Sequence, residues 1–137
     1  MTRDAPNQSV PEVEDEVILV AEDQKLVRAA MVRMLQKEGF AVIEAEDGER
    51  AIQLFQKNSG KIRLVLLDVV MPKLHCREVL EAISAIRPDV HFVFCTGYAP
   101  DAAEIDSLPT DGITIIAKPF TREALIEAVK NTMAAAK

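Results

Sequence analysis

Leu64-Val65-Leu66-Leu67-Asp68-Val69-Val70-Met71-Pro72 is the stretch on which the fold turns. Four apolar residues run into a carboxylate, a short apolar run follows, and proline ends it. A continuous apolar run bounded by a turn signal reads as a strand buried on both faces. The spacing places a strand over Ile62 to Leu67 and puts Asp68 at its carboxyl end, where the chain leaves the sheet. In open α/β sheets ligands bind at that edge.

Three further strands end in the same way. Val17 to Ala21 runs into Glu22-Asp23, Val90 to Cys95 into Thr96-Gly97, and Ile113 to Ala117 into Lys118-Pro119. Between them the apolar period changes to that of helices. Leu26, Val27, Met31, Met34 and Leu35 form one stripe, closed by Gly39 as a C-cap. Phe40 to Glu44 alternates and reads as a strand nearer an edge. Asp47-Gly48 reads as a turn, and Glu49 to Lys57 as a helix ended by Asn58-Ser59-Gly60. Arg77 to Ile86 is expected to turn Val79, Leu80, Ile83 and Ile86 inward. Ala99 to Leu108 suggests a short helix crowded by Gly97, Pro100 and Pro109. Thr121 caps a last helix that packs Ala124, Leu125, Ala128, Val129 and Met133 inward.

Strand followed by helix, five times, with short connections, forces parallel strands and right-handed crossovers. The expected fold is a doubly wound α/β sandwich: a five-stranded parallel sheet flanked by five helices. The flavodoxin-like order 2-1-3-4-5 suits it, because the first, third and fourth strands are the most apolar. Parallel strands bring the carboxylates of Glu22, Asp23 and Asp68, the Thr96 hydroxyl and the Lys118 ammonium to one edge.

The chain of 137 residues fits one domain. Residues 1 to 15 are polar and acidic and read as a disordered tail or linker, leaving 16 to 137 as the domain. A formal charge of −6 lacks the basic footprint that nucleic acid requires. No apolar run approaches the roughly 20 residues of a membrane span, and the N-terminus has no signal-peptide pattern. Cys76 and Cys95 show no metal-ligand spacing, and two cysteines suit reduced thiols in the cytoplasm.

The set Glu22-Asp23, Leu67-Asp68-Val69-Val70-Met71-Pro72, Thr96-Gly97 and Lys118-Pro119-Phe120 resembles the receiver domain of two-component response regulators, the CheY-like family. The likeness covers about Val17 to Met133. Each motif alone is weak; the four in order at successive strand ends are specific. The resemblance implies a phosphoacceptor that takes a phosphoryl group from a histidine kinase or a histidine phosphotransfer protein. It implies Asp68 as the acceptor, with Asp23, Asp68 and the backbone carbonyl of Val70 ligating Mg²⁺ and Glu22 acting through a metal-bound water. Lys118 would pair with Asp68 or with a phosphoryl oxygen, Thr96 would hydrogen-bond another, and a cis bond before Pro119 would shape the loop. Thr96 would move on phosphorylation and shift the partner surface.

The residue chemistry agrees with this reading. A carboxylate can take a phosphoryl group as an acyl phosphate. Three carboxylates at one point repel, and a divalent cation relieves them. Hard oxygen donors without Cys or His select Mg²⁺.

Three positions depart from the family. Ile115 stands three residues before Lys118, where the family usually has an aromatic switch, and Tyr98 is an alternative gate. Cys76 stands where many members have glycine, so the backbone there either avoids positive φ or is strained. Val70 offers no polar group to place a hydrolytic water, which implies slow to moderate self-dephosphorylation.

Two competing functions remain. An Asp-nucleophile phosphatase or dehalogenase-like hydrolase would resemble a DxD pattern, whereas Val69-Val70 follows Asp68. A degenerate, non-phosphorylated interaction module would not need the intact cluster. Neither GxxxxGK nor GxGxxG occurs, which speaks against nucleotide binding. The phrases around Val69 to Pro72 and Thr96 to Ala99 are also similar to receivers at the C-terminus of hybrid sensor kinases. These phrases suit a stand-alone regulator and a piece of a hybrid kinase alike.

Overall fold

The computed structural model describes residues 17–71, 73–97 and 113–134. Its elements are β1 (Val17–Ala21), α1 (Lys25–Lys37), β2 (Ala41–Ala45), α2 (Gly48–Lys57), β3 (Ile62–Asp68), α3 (Cys76–Ile86), β4 (His91–Thr96), β5 (Ile113–Ala117) and α4 (Arg122–Ala134). The strands form one parallel sheet in the order β2-β1-β3-β4-β5. Order and direction are those expected from the sequence, with the Asp68 strand in the centre. Four helices lie among the described residues rather than five. The helix expected over Ala99 to Leu108, the gate expected at Tyr98 and the tail expected over 1–15 fall outside the described residues.

Side chains alternate across a strand, so each central strand feeds two cores. Leu19, Val65, Leu67, Phe92 and Phe94 pack on one face with Ala51 and Phe55 of α2 and Val79 and Ile83 of α3. Ile18, Val20, Leu64, Leu66, Val93 and Cys95 pack on the other with Met31 and Leu35 of α1 and Leu125 and Val129 of α4. Burial on both faces explains why β1 and β3 read as unbroken apolar runs. On the first face Phe92 and Phe94 stack with ring centroids 5.8 Å apart.

Several local expectations are corrected. Leu26 is 84% exposed and is no part of the α1 stripe. Five residues before Met31, it lies about 140° around the helix from it. Ile86, the last residue of α3, is exposed because no further turn covers it. Ala124, in the first turn of α4, is also exposed, while Ile126 and Thr132 take buried places. The α1 helix ends at Lys37, and Gly39 follows with φ +95°, a conformation that costs glycine little.

Asp47-Gly48 is a helix start rather than a free turn. The Asp47 side chain accepts a hydrogen bond from the Arg50 N–H at 2.8 Å, and Gly48 is the first residue of α2. A Cβ on Gly48 would stand 2.8 Å from Val79 Cγ2 and 3.2 Å from Leu74 Cβ. The missing side chain is what lets α2 close onto α3 and the β3–α3 loop. Gly48→Ala is expected to destabilise by about 1–3 kcal/mol, as overpacking does. Urea unfolding of the variant against the wild type measures it; an equal or higher midpoint would contradict the close contact.

Candidate functional site

The cluster sits where β1, β3, β4 and β5 end. Asp68, the last residue of β3, is 6% exposed. Its Oδ1 accepts from the Val70 N–H at 3.2 Å and its Oδ2 from Lys118 Nζ at 3.1 Å. Lys118 follows β5, and its N–H donates to the Thr96 carbonyl at 2.7 Å. That bond extends the β4–β5 ladder by one step and aims the lysine across the sheet end. Glu22 follows β1 and is fully buried. Its Oε1 lies 2.9 Å from Lys118 Nζ, and its Oε2 accepts from the Gln24 N–H at 3.1 Å. Asp23, beside it, is exposed.

One ammonium thus bridges two buried carboxylates from strands 96 and 50 residues away in sequence. Burial works against the charge on Lys118, but the hydrogen bond to Glu22 and the fields of Asp68 and Glu22 outweigh it. Its pKa is held above the ordinary 10.5, so Lys118 is a fixed cation. Carboxylate oxygens of Glu22, Asp23 and Asp68 lie within 4.8 Å of one another. Three carboxylates and one ammonium leave a formal charge of minus two. The donors are all hard oxygens, and that residual charge is the one a divalent cation cancels. The residues present therefore fit Mg²⁺. Cys95 pairs in register with Asp68 on the neighbouring strand, and burial pushes its thiol up to about 12. It stays a thiol at neutral pH and is no competing nucleophile.

A family model described as the response regulator receiver domain matches residues 18–130. The chain belongs to the response-regulator receiver family. Among curated relatives, this receiver is 35% identical over 117 residues to the sensor kinase CckA of Brucella abortus, covering 85% of this chain and 12% of that protein. It is 31% identical over 119 residues to the response regulator receiver protein CpdR of the same organism, covering 87% and 98%. Among solved structures, a response regulator receiver protein from Sinorhizobium medicae superposes with TM-score 0.81 at 27% identity, over 92% of this chain and all of that one. The response regulator TrrA of Thermotoga maritima, solved with Mg²⁺ and BeF, superposes with TM-score 0.73 at 32% identity, over 85% and 98%.

The receiver brings Glu22, Asp23, Asp68 and Lys118 together and sets Thr96 at the end of β4 beside them. Val70 follows β3 and is 51% exposed. Ile115 pairs with Phe94 in the ladder and is 40% exposed, an aliphatic group at the position where the family usually has an aromatic ring. The Lys118-Pro119 bond is cis. Cys76 is not in a strained loop: it opens α3 in helical conformation, behind His75, whose Nδ1 accepts from the Arg77 N–H at 3.0 Å. Positive φ falls instead on Lys73, at 79°.

Sequence reasoning missed the contacts that brace the two acidic loops. Lys73 Nζ lies 3.3 Å from Asp47 Oδ2 and 3.7 Å from Glu49 Oε1, tying the β3–α3 loop to the start of α2. Arg28 joins the β1–α1 turn to β2. Lys73 and Asp47, like Arg28 and Glu44, are distant in sequence, and no local pattern marks them. The Asp47 carboxyl is held below its ordinary 3.8, first by the Arg50 N–H and then, against burial, by Lys73. With the folded value depressed, its contribution is whole above pH 3.8 and is lost as pH falls through the folded value. Asp47→Ala is expected to cost about 1 kcal/mol at neutral pH. The gap to wild type should close on acidification. Urea unfolding across the acid range measures it; a gap independent of pH would contradict the assignment.

Proposed function

We propose that this chain is a phosphoacceptor switch in a two-component phosphorelay, with Asp68 accepting a phosphoryl group from a histidine kinase or a histidine phosphotransfer protein. The observation that carries this reading is the Asp68 carboxylate at the end of the central strand, 3.1 Å from Lys118 Nζ and within 4.8 Å of the oxygens of Asp23 and Glu22. Asp23, Asp68 and the Val70 carbonyl would hold Mg²⁺, with Glu22 reaching it through water; when bound, the ion neutralises charge on the transferring phosphoryl group. Lys118 already rests on Asp68 Oδ2 and can pass to a phosphoryl oxygen without leaving Glu22. Glu22 keeps the ammonium in place throughout. Thr96 supplies a hydroxyl at the neighbouring strand end for a second phosphoryl oxygen. Modification there adds charge and acceptor oxygens, which bias Thr96 and the Ile115 strand toward a second packing.

The receiver unit is read as residues 16–137, with the acidic stretch 1–15 as tail or linker. Membership of the family and the match to CckA and CpdR support a kinase or phosphotransfer partner. A cytoplasmic site of action belongs to the same reading, since that is where such partners would meet it. No helix among the described residues is long and apolar enough to cross a membrane.

The test is intact mass after incubation with a small-molecule phosphodonor, with Mg²⁺ and with excess chelator. One phosphoryl increment that needs Mg²⁺ is expected. Free phosphate released over many turnovers without a persisting adduct would favour a hydrolase instead. Lifetime is a further prediction. The exposed Val70 side chain cannot orient a water, so Val70→Asn should lose its phosphoryl group several-fold faster. A decay as slow as that of the wild type would remove this role.

A further inference from the structure

The side chains of Glu22 and Asp23 point usefully only if the turn that carries them is fixed. Three contacts fix it. The Glu22 N–H donates to the Ala45 carbonyl at 3.1 Å, and the Gln24 N–H to Glu22 Oε2 at 3.1 Å. The third comes from α1: Arg28 Nη1 donates to the Glu22 carbonyl at 2.8 Å. Its Nε donates to Glu44 Oε1 on β2 at 3.2 Å, and the Arg28 side chain is only 15% exposed. The guanidinium is thus braced between a carboxylate of the edge strand and the backbone of the acidic turn. Its planar fork makes the two bonds from two different nitrogens, a span that a single ammonium nitrogen does not cover.

We propose that Arg28 is a positioning residue for metal binding: anchored on Glu44, it fixes the Glu22 carbonyl and so the direction in which Glu22 and Asp23 present their carboxylates. The proposal rests on reading the pocket as a Mg²⁺ site. Electrostatics makes it separable from a bland surface role. A cation this near a divalent-ion site opposes metal binding through its field, so any help that Arg28 gives must come through geometry. The β2 end carries none of the reactive groups, yet through Arg28 it helps set them.

Arg28→Lys keeps the charge and loses the fork; Glu44→Asp keeps the charge and shortens the anchor. The ¹⁵N-labelled chain is titrated with MgCl₂, following amide shifts, and phosphorylation is timed at low and at saturating Mg²⁺. Arg28→Lys should bind Mg²⁺ roughly tenfold more weakly, the range typical of residues that orient metal ligands. Its rate deficit should shrink at saturating Mg²⁺, which a general loss of structure would not produce. Glu44→Asp should shift in the same direction by less. A wild type without Mg²⁺-dependent shifts would overturn the reading of the pocket itself. A wild type that binds Mg²⁺, with Arg28→Lys binding equally well, would overturn the role of Arg28 alone. Should Arg28→Lys fail to unfold cooperatively, Glu44→Asp decides: weaker binding supports the brace, and equal binding ends it.

Discussion

Asp68→Ala is expected to abolish the phosphoryl adduct altogether while leaving the fold in place. The variant removes the carboxylate oxygens to which the phosphoryl group would bond. Of the carboxylates left in the pocket, Glu22 is buried and held by Lys118 and the Gln24 N–H, and Asp23 would be taken up by the metal. Cys95 is held as a thiol, and Lys118 as an ammonium. The fold should tolerate the change because two carboxylates now compete for one ammonium. With Asp68 gone, Lys118 still pairs with Glu22 at 2.9 Å. The hydrogen bonds lost to Lys118 and to the Val70 N–H are offset by relief of repulsion between carboxylates. The unfolding free energy without Mg²⁺ should stay within about 1 kcal/mol of wild type. Intact mass and urea unfolding on the same preparation check both halves. An adduct equal to the wild type's would sink the assignment of the acceptor.

Lys118→Met should lose stability as well as activity. Glu22 is fully buried, and its Oε1 would lose its partner. Removing one partner of a buried pair costs roughly 3–5 kcal/mol. The Gln24 N–H still serves Oε2, so the cost here should fall near the lower end. Adding Glu22→Gln to Lys118→Met should restore part of that stability, because the more deeply buried of the two orphaned charges goes with it, while Asp68 stays unpaired. Phosphorylation at saturating Mg²⁺ should fall by roughly a hundredfold or more, as expected when a preorganised cation is withdrawn from developing charge. Restoration of stability without restoration of rate in the double variant is the decisive result. If Lys118→Met unfolds like the wild type, the buried Glu22–Lys118 pair does not carry the energy assigned to it.

These two outcomes separate the parts of the site that composition marks from the parts that folding makes. Asp68 is visible in the chain because a carboxylate that closes an unbroken apolar run must leave the core at the strand's end, where ligands meet the sheet. The same device exposes Glu22-Asp23 and Lys118-Pro119. Where the sequence misled, the fault lay in the phase or the end of a helix. Leu26 is apolar but sits on the wrong side of α1, and Ile86 lies where α3 runs out. Asp47-Gly48 carried a turn signal that also serves as a helix cap, and only the approach of Val79 and Leu74 shows why glycine stands there.

By itself the sequence determined the α/β class, the strand order and the residues gathered at the sheet edge, because burial on both faces and carboxylates at strand ends leave a readable pattern along the chain. Only the tertiary structure decided that Lys118 is shared between Glu22 and Asp68, and that Arg28 and Lys73 brace the two acidic loops. Those contacts join residues 6 to 96 positions apart. A hydrogen bond needs partners within about 3 Å and well aligned, and neither condition can be read before the strands are laid side by side.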